Sequence, residues 1–164
     1  MSKNVLLLGG AGFIGFNIAR YLAENRDYKL TIADNFARGK QDDYFTELVN
    51  KHNIRVVAGD FTDPVTFNQL DEAYDQVYML ASVVGVDNAN SIPHEIIRIN
   101  TALIFNTLEW VRRSKVGKVL FTSTSECYAG TIEAFGYVTP TPEEVPLCIP
   151  VSYTHLTLPT NREV

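Results

Sequence analysis

The chain has 164 residues, of which 46% are hydrophobic and 20% charged, with a net charge of −5 at pH 7. This balance is typical of one globular domain with a real core, and the acidic charge without any Lys/Arg block argues against a nucleic-acid surface. No apolar run is long enough to cross a bilayer, and the scattered cysteines and histidines indicate reduced thiols and no metal site. We therefore expect a cytoplasmic protein with no nucleic-acid or membrane partner.

Short apolar runs alternate with helical patterns along most of the chain. Strands are predicted at residues 5–8, 30–33, 54–58, 77–81 and 119–122. Helices are predicted at residues 13–23, around 44–49, after Asp63-Pro64 with an apolar face of Val65, Leu70 and Ala73, and at 93–113. A loop with Gly85, Asp87 and Asn88 precedes the last of these helices, and residues 131–150 are a loop by composition. This alternation predicts an α/β fold, a doubly wound parallel sheet of the Rossmann type that breaks off after about five strands.

The turn after the first predicted strand reads Gly9-Gly10-Ala11-Gly12-Phe13-Ile14-Gly15. Between a strand and a helix, such glycines let the backbone turn tightly and approach a pyrophosphate. The N–H groups and positive dipole end of the following helix would then face the phosphates. The alternative is a glycine turn that only allows close packing of the strand and the helix.

Asp34 ends the second predicted strand, nineteen residues after Gly15. A carboxylate at this position accepts hydrogen bonds from ribose hydroxyls and repels a 2′-phosphate, which favours NAD over NADP. Arg38 is able to meet a 2′-phosphate, so the preference is not absolute. An Asp that only caps the next turn is the alternative interpretation.

The glycine spacing G-x-x-G-x-x-G, together with Asp34-Asn35, Gly59-Asp60-Phe61 and Leu80-Ala81-Ser82, resembles the extended short-chain dehydrogenase/reductase family. That family contains the NAD-dependent nucleotide-sugar epimerases and dehydratases, and the resemblance covers residues 1 to about 150. It implies that Asp60 and Phe61 contact the adenine and that Leu80, Ala81 and Ser82 line the cofactor. The full set of implied NAD-binding residues is Gly9, Gly12, Phe13, Ile14, Gly15, Asp34, Asn35, Asp60, Phe61, Leu80, Ala81, Ser82 and Asn100.

Asn100 lies on the long predicted helix at helical spacing with Ile97, Ile104, Leu108 and Val111. A buried Asn needs hydrogen-bond partners, so it is either a satisfied core group or, as the resemblance implies, a residue near the cofactor.

A hydroxyl-rich segment, residues 121–128, follows the fifth predicted strand. Ligands bind outside the carboxyl ends of strands in open α/β sheets, although a bare Ser/Thr cluster is more often turn chemistry. The segment resembles the family signature S-[ST]-[SD]-E-V-Y-G, with Ala129 in place of the glycine. The resemblance implies that Thr124 hydrogen-bonds the reacting sugar oxygen. It also places Ser125 and Glu126 where some dehydratases carry an acid/base pair.

The resemblance calls next for Tyr-x-x-x-Lys, in which the Lys charge lowers the pKa of the Tyr so that its phenolate acts as a base. The chain lacks this pair, since Tyr153 is followed four residues later by Thr157. Residues 151–160 match one reading frame of a sequencing-library adapter, so we expect 151–164 to be a non-native tail; an ordinary loop sequence is the alternative. Residues 1–150 would then be an incomplete NAD-binding domain, with the C-terminal substrate domain absent.

The leading interpretation is the cofactor half of an NAD-dependent nucleotide-sugar epimerase or dehydratase that acts through a transient keto-sugar. The resemblance implies a homodimer for the full-length protein. Without the Tyr/Lys pair we expect this chain to be inactive, and an unpaired sheet edge favours its aggregation. A non-catalytic NAD(P)-binding or sensing module and a short-chain alcohol or steroid dehydrogenase are the alternatives. The hydroxyl signature argues against the first, and the glycine spacing argues against the second.

Overall fold

A computed structural model describes residues 2–25, 27–39, 41–124, 128, 130–136, 141–142 and 144–148. The chain divides into two compact units, Met1–Thr122 and Ser123–Val164. Residues 151–164 lie outside the described residues, as do Ser125 and Glu126. The interpretation of the tail therefore stays a prediction.

The first unit is a five-stranded parallel sheet with the strand order β3-β2-β1-β4-β5. Its strands are β1 (Lys3–Leu8), β2 (Tyr28–Asp34), β3 (Arg55–Ala58), β4 (Ala73–Met79) and β5 (Lys115–Phe121). Its helices are α1 (Phe13–Ala23), α2 (Asp43–His52), a 3-10 helix (Pro64–Gln69), α3 (Val86–Ser91) and α4 (Pro93–Arg113). The chain builds the sheet outward from β1 in one direction and then, from β4, in the other. This reversal confirms the predicted doubly wound fold.

β1 lies at the centre of the sheet and is buried on both faces. Leu6 and Leu8 pack in one core cluster with Phe67 and Trp110. Val5 and Leu7 point the other way, into a second cluster with the apolar residues of α1 and α2. Successive side chains of a strand alternate between faces, so the four-residue apolar run of β1 serves both cores.

The two long helices begin and end where the sequence predicts. Pro93 stands in the first turn of α4, where its missing N–H costs nothing, and Arg112 and Arg113 lie in the last turn, where they complement the helix dipole. The predicted buried face of α4 is confirmed in part. The buried residues of the helix are Leu103, Thr107 and Trp110. The predicted Ile104 and Val111 are partly buried and pack against the same core cluster, whereas Leu108 is 55% exposed, because the buried stripe is centred one residue earlier than the predicted one.

Of the predicted face Val65, Leu70 and Ala73, only Leu70 is buried. The segment after Asp63 is a single 3-10 helix, so Val65 is exposed and Ala73 already begins β4. The prediction assumed the period of an α-helix, which a six-residue 3-10 helix does not keep. Asp63 caps this helix, because its side chain accepts a hydrogen bond from the Val65 N–H at 2.9 Å.

Two predicted loops contain short helices. Asp87 and Asn88 lie in α3 rather than in a loop. In the second unit, α5 (Thr131–Phe135) lies within the predicted loop 131–150. The Thr131 hydroxyl donates to the Pro146 carbonyl at 2.8 Å, so a contact between residues fifteen positions apart stabilises this helix. A single helical turn is too short to show an apolar period in the sequence.

β5 is at the edge of the sheet formed by the described strands. Val119, Leu120 and Phe121 are exposed at its carboxyl end. No described helix has the length and apolar character that a bilayer crossing requires.

Phe67 offers a test of the first core cluster. It is 1% exposed, and its ring centroid lies 5.0 Å from that of Phe61 and 5.6 Å from that of Trp110. We expect Phe67→Ala to lower the free energy of unfolding by about 3–5 kcal/mol, because it leaves a cavity between these rings. Urea unfolding followed by the fluorescence of Trp110, the single tryptophan, measures the change.

The matched control is Val65→Ala on the same 3-10 helix, where the side chain is 65% exposed. Its effect should stay within about 0.5 kcal/mol. An equal loss for the two variants would contradict the assignment of Phe67 to the core.

Candidate functional site

The glycine turn joins β1 to α1 at the carboxyl edge of the sheet. Gly9 has φ +83°, which favours glycine, and its N–H donates to the Ala33 carbonyl at 2.7 Å. A Cβ on Gly9 would lie 2.5 Å from the Ala81 nitrogen. The turn is therefore packed backbone to backbone against the segment that follows β4.

Gly15 and Gly12 differ in the space that is available for a side chain. A Cβ on Gly15 would lie 2.5 Å from the Gly10 Cα, so close packing of α1 on the turn requires glycine there. Of the described atoms, a Cβ on Gly12 would meet only the Gly9 carbonyl oxygen, at an ordinary 3.5 Å. The fold by itself leaves the space beside Gly12 open.

The amino end of α1 is open to an anion. No side chain in the part of the chain that the structure describes caps this helix, and no acidic residue lies in its first turn. At α2, by contrast, the Asp42 side chain accepts from the Phe45 N–H at 2.9 Å. The first N–H groups of α1 and its positive dipole end therefore remain available. Phe13 and Ile14 stand beside them, 86% and 60% exposed.

Asp34 ties the end of β2 to the glycine turn. It is 8% exposed, its Oδ2 accepts from the Ala11 N–H at 2.9 Å, and its Oδ1 accepts from the Phe36 N–H at 2.8 Å. Asp34 therefore has the turn-capping role that the sequence left open as the alternative. An ionised carboxylate has about four acceptor positions, so two remain for ligand hydroxyls. The neighbouring Asn35 is exposed, and its Oδ1 accepts from the Ala37 N–H at 3.0 Å.

In the loop after β3, the Asp60 side chain is exposed whereas the Phe61 side chain is buried. Asp60 is exposed, and its Oδ1 accepts from both the N–H and the hydroxyl of Thr62, at 2.9 and 2.8 Å. Phe61 is buried in the first core cluster with its ring edge-on to Phe67. Phe61 can therefore meet a ligand only through its backbone.

The loop after β4 begins beside the glycine turn. The Leu80 N–H donates to the Leu8 carbonyl at 2.8 Å, Ala81 contacts Gly9, and Ser82 is exposed. Asn100 on α4 holds the next residue, Val83. Its Oδ1 accepts from the Val83 N–H at 2.8 Å, and its Nδ2 donates to the Val83 carbonyl at 3.0 Å. Asn100 is thus a satisfied polar group whose partner is the loop that carries three predicted cofactor residues.

Thr124 belongs to the second unit and is exposed just after β5. Ser125 and Glu126 lie outside the described residues. The predicted catalytic roles of these three residues stay predictions.

Two residues of α4 that the sequence did not single out lie beside the predicted site. The Asn106 Nδ2 donates to the carbonyls of Thr62 and Phe61, at 2.8 and 3.3 Å. Arg98 pairs with Glu95 at 2.7 Å, and this hydrogen bond, with the charges of Glu95 and Asp60, raises the pKa of Arg98. A second asparagine six residues after Asn100, within an apolar helix, was the available signal for Asn106.

These features define a Rossmann-type α/β protein with a glycine-rich turn at the point where the strand order reverses. Among the described side chains, no group of three His, Cys, Asp or Glu residues is placed to hold a metal ion. The chain belongs to the NAD dependent epimerase/dehydratase family, whose model matches residues 5–149.

Similar proteins include enzymes of three reaction types. A UDP-N-acetyl-alpha-D-glucosaminuronate decarboxylase of Bacillus cytotoxicus is 37% identical over 128 residues, which cover 78% of this chain and 38% of that protein. A dTDP-glucose 4,6-dehydratase of Mycolicibacterium smegmatis is 33% identical over 125 residues, covering 76% and 37%. The crystal structure of a UDP-galactose 4-epimerase superposes with a TM-score of 0.72 at 30% identity, covering 89% of this chain and 45% of that one. The chain spans less than half the length of each.

The two hydrogen bonds of Asp34 allow a sharp test of its structural role. The Asp34 carboxylate accepts one backbone N–H with each of its two oxygens. Asp34→Asn keeps one of these acceptors and replaces the other with an NH2 group, so that two donors face each other. We expect the free energy of unfolding to fall by about 1–3 kcal/mol, measured by urea unfolding.

Asp60→Asn is the matched control, since both hydrogen bonds of Asp60 are accepted by Oδ1 alone and the amide oxygen can keep them. This variant should unfold close to the parent. If Asp34→Asn were as stable as Asp60→Asn, the tie between β2 and the turn would carry no stability.

Proposed function

We propose that this chain binds NAD across the glycine turn and forms the cofactor-binding part of an enzyme that transforms a nucleotide sugar through a transient keto-sugar. The observation that carries the proposal is the contrast among the glycines. Gly9 and Gly15 are required by contacts within the protein, whereas Gly12, as far as the described residues go, faces open space beside the uncapped amino end of α1. A glycine that the fold does not need, next to free N–H groups, suits close approach of a pyrophosphate.

The surrounding residues fit the rest of a dinucleotide. The N–H groups of Phe13 and Ile14 would hold the pyrophosphate, and the two unused acceptor positions of Asp34 would receive ribose hydroxyls. The Asp60 side chain and the Phe61 backbone would contact the adenine, and residues 80–82 would line the half of the site beside β4. The charge of Asp34 disfavours a 2′-phosphate, which is the reason for proposing NAD.

The proposed chemistry is limited to the steps that the decarboxylase, dehydratase and epimerase relatives would have in common. The chemistry that bound NAD would supply is the acceptance of a hydride from a sugar carbon, whereas the protein would orient the reactants and transfer protons. Thr124 would hydrogen-bond the reacting sugar oxygen, and Ser125 and Glu126 would serve as an acid/base pair. The relatives comprise a decarboxylase, a dehydratase and an epimerase, so the substrate class is a nucleotide sugar. A cytoplasmic location and a homodimer of the whole protein are proposed on the same family resemblance.

Gly12→Ala tests the cofactor site without disturbing the fold. Within the described structure the added Cβ meets only the Gly9 carbonyl oxygen at 3.5 Å, so the variant should fold as the parent does. It occupies the space assigned to the pyrophosphate, and we expect NAD affinity to fall by about tenfold or more, measured by isothermal titration calorimetry.

The control is Tyr21→Ala, which removes an exposed side chain from the same helix and should leave NAD affinity unchanged. Equal NAD affinity of Gly12→Ala and the parent would contradict the placement of the pyrophosphate. A parent chain that binds no NAD would contradict the proposed function itself.

The missing Tyr-x-x-x-Lys pair gives a second prediction. Incubated with NAD and a UDP- or dTDP-sugar, the chain should form no product, because its sequence holds no Tyr-x-x-x-Lys pair to supply the base. Proton NMR of the sugar measures the turnover. Product formation would show that another group of this chain, with Glu126 the first to examine, transfers the proton.

A further inference from the structure

Helix α4 contacts both loops that border the proposed dinucleotide site. Asn106 bonds to the loop after β3, and Asn100 bonds to the loop after β4. β3 and β4 lie on opposite sides of β1 in the sheet. One rigid helix therefore connects the two halves of the site.

Asn106 provides the long-range hydrogen bonds of the first loop. Its Nδ2 donates to the carbonyls of Thr62 and Phe61, residues 44 and 45 positions earlier in the chain. The bonds that Asp60 makes in this loop are local, to Thr62, Asp63 and Thr66. These local bonds shape the loop, whereas the amide of Asn106 fixes where the loop lies relative to the helix.

An amide suits this position better than other side chains of its size. The Nδ2 group carries two N–H donors, which match two consecutive carbonyl oxygens. A carboxylate would repel both oxygens, and an apolar side chain would leave them without this donor. The second asparagine, Asn100, uses its oxygen and its nitrogen on the single residue Val83.

The two asparagines stand on either flank of the helix face that meets the core. Leu103 is buried midway between them, three residues from each. Six residues of α-helix span about 9 Å, so the helix sets a fixed spacing between the two loops.

We propose that Asn106 is a positioning residue for the adenosine half of the dinucleotide. Its amide holds the loop of Asp60 and Phe61 at the adenine, while Asn100 holds the loop beside β4 for the other half. The inference rests on the proposed binding of NAD. It predicts that the two asparagines affect different parts of one ligand, although they lie on one helix.

Affinities for AMP and for NAD separate these roles, because AMP contains only the adenosine half. In Asn106→Asp, affinity for both ligands should fall by the same factor, about tenfold. In Asn100→Asp, affinity for NAD should fall by about tenfold while affinity for AMP stays within about twofold. Calorimetric titration of each variant gives the affinities, and thermal unfolding shows that each is folded.

Asn68→Asp is the control for the added charge, since Asn68 is exposed and its Oδ1, which accepts from Arg113, is retained in Asp. It should bind both ligands as the parent does. If Asn106→Asp fails to fold, Asn106→Ala removes the donors without adding a charge, and the same result is expected of it.

Unchanged AMP affinity in a folded Asn106 variant would overturn the proposal. So would an equal loss of AMP affinity in the Asn100 and Asn106 variants, because a general loosening of α4 would then explain both. A parent chain that binds neither AMP nor NAD would overturn the proposed function and this inference with it.

Discussion

Close approach of three backbone segments at the carboxyl edge of the sheet is the constraint on which the site depends. Gly9 lies against Ala81, and Gly15 lies against Gly10, at distances that leave no room for a Cβ. The Asp34 carboxylate adds a polar tie from β2 to Ala11. The ends of β1, β2 and β4 and the start of α1 are thus held in one arrangement, from which the proposed contacts of the glycine turn, of Asp34 and of residues 80–82 take their position.

Most residues that resemble cofactor ligands also have a partner inside the protein. Asp34 holds two backbone N–H groups, Asn100 holds Val83, and the Phe61 ring belongs to the core. These internal bonds fix the side chains and loops before any ligand arrives. A site ordered in this way loses less conformational entropy on binding, which is the general advantage of preorganisation. The ligand-binding and structural interpretations of Asp34 are therefore compatible, since one carboxylate can serve both.

Local signals predicted the parts of the fold that local physics controls. The bounds of α1 and α4 follow from a glycine turn, a first-turn proline and terminal arginines, each of which acts on the adjacent backbone. The strands were recognised from their apolar runs, but β1 begins earlier, at Lys3, and β5 earlier, at Lys115. Polar residues at these ends join the sheet through their backbone, which apolar patterning does not record. α3 and α5 were missed because a helix of one or two turns has no readable period.

The order of the elements, the glycine turn and the acidic residue at the end of β2 follow from the residues alone, because each depends on neighbours in sequence. Three other features do not follow from the residues alone: the inward orientation of the Phe61 ring, the choice of the helix stripe of α4 that is buried, and the hydrogen bonds of Asn106. Asn106 meets carbonyls 44 and 45 residues away, and that contact exists only once β3 and β4 have taken their places on either side of β1. Folding of the sheet decides which loops a helix can reach, and no local pattern in the chain encodes that distance.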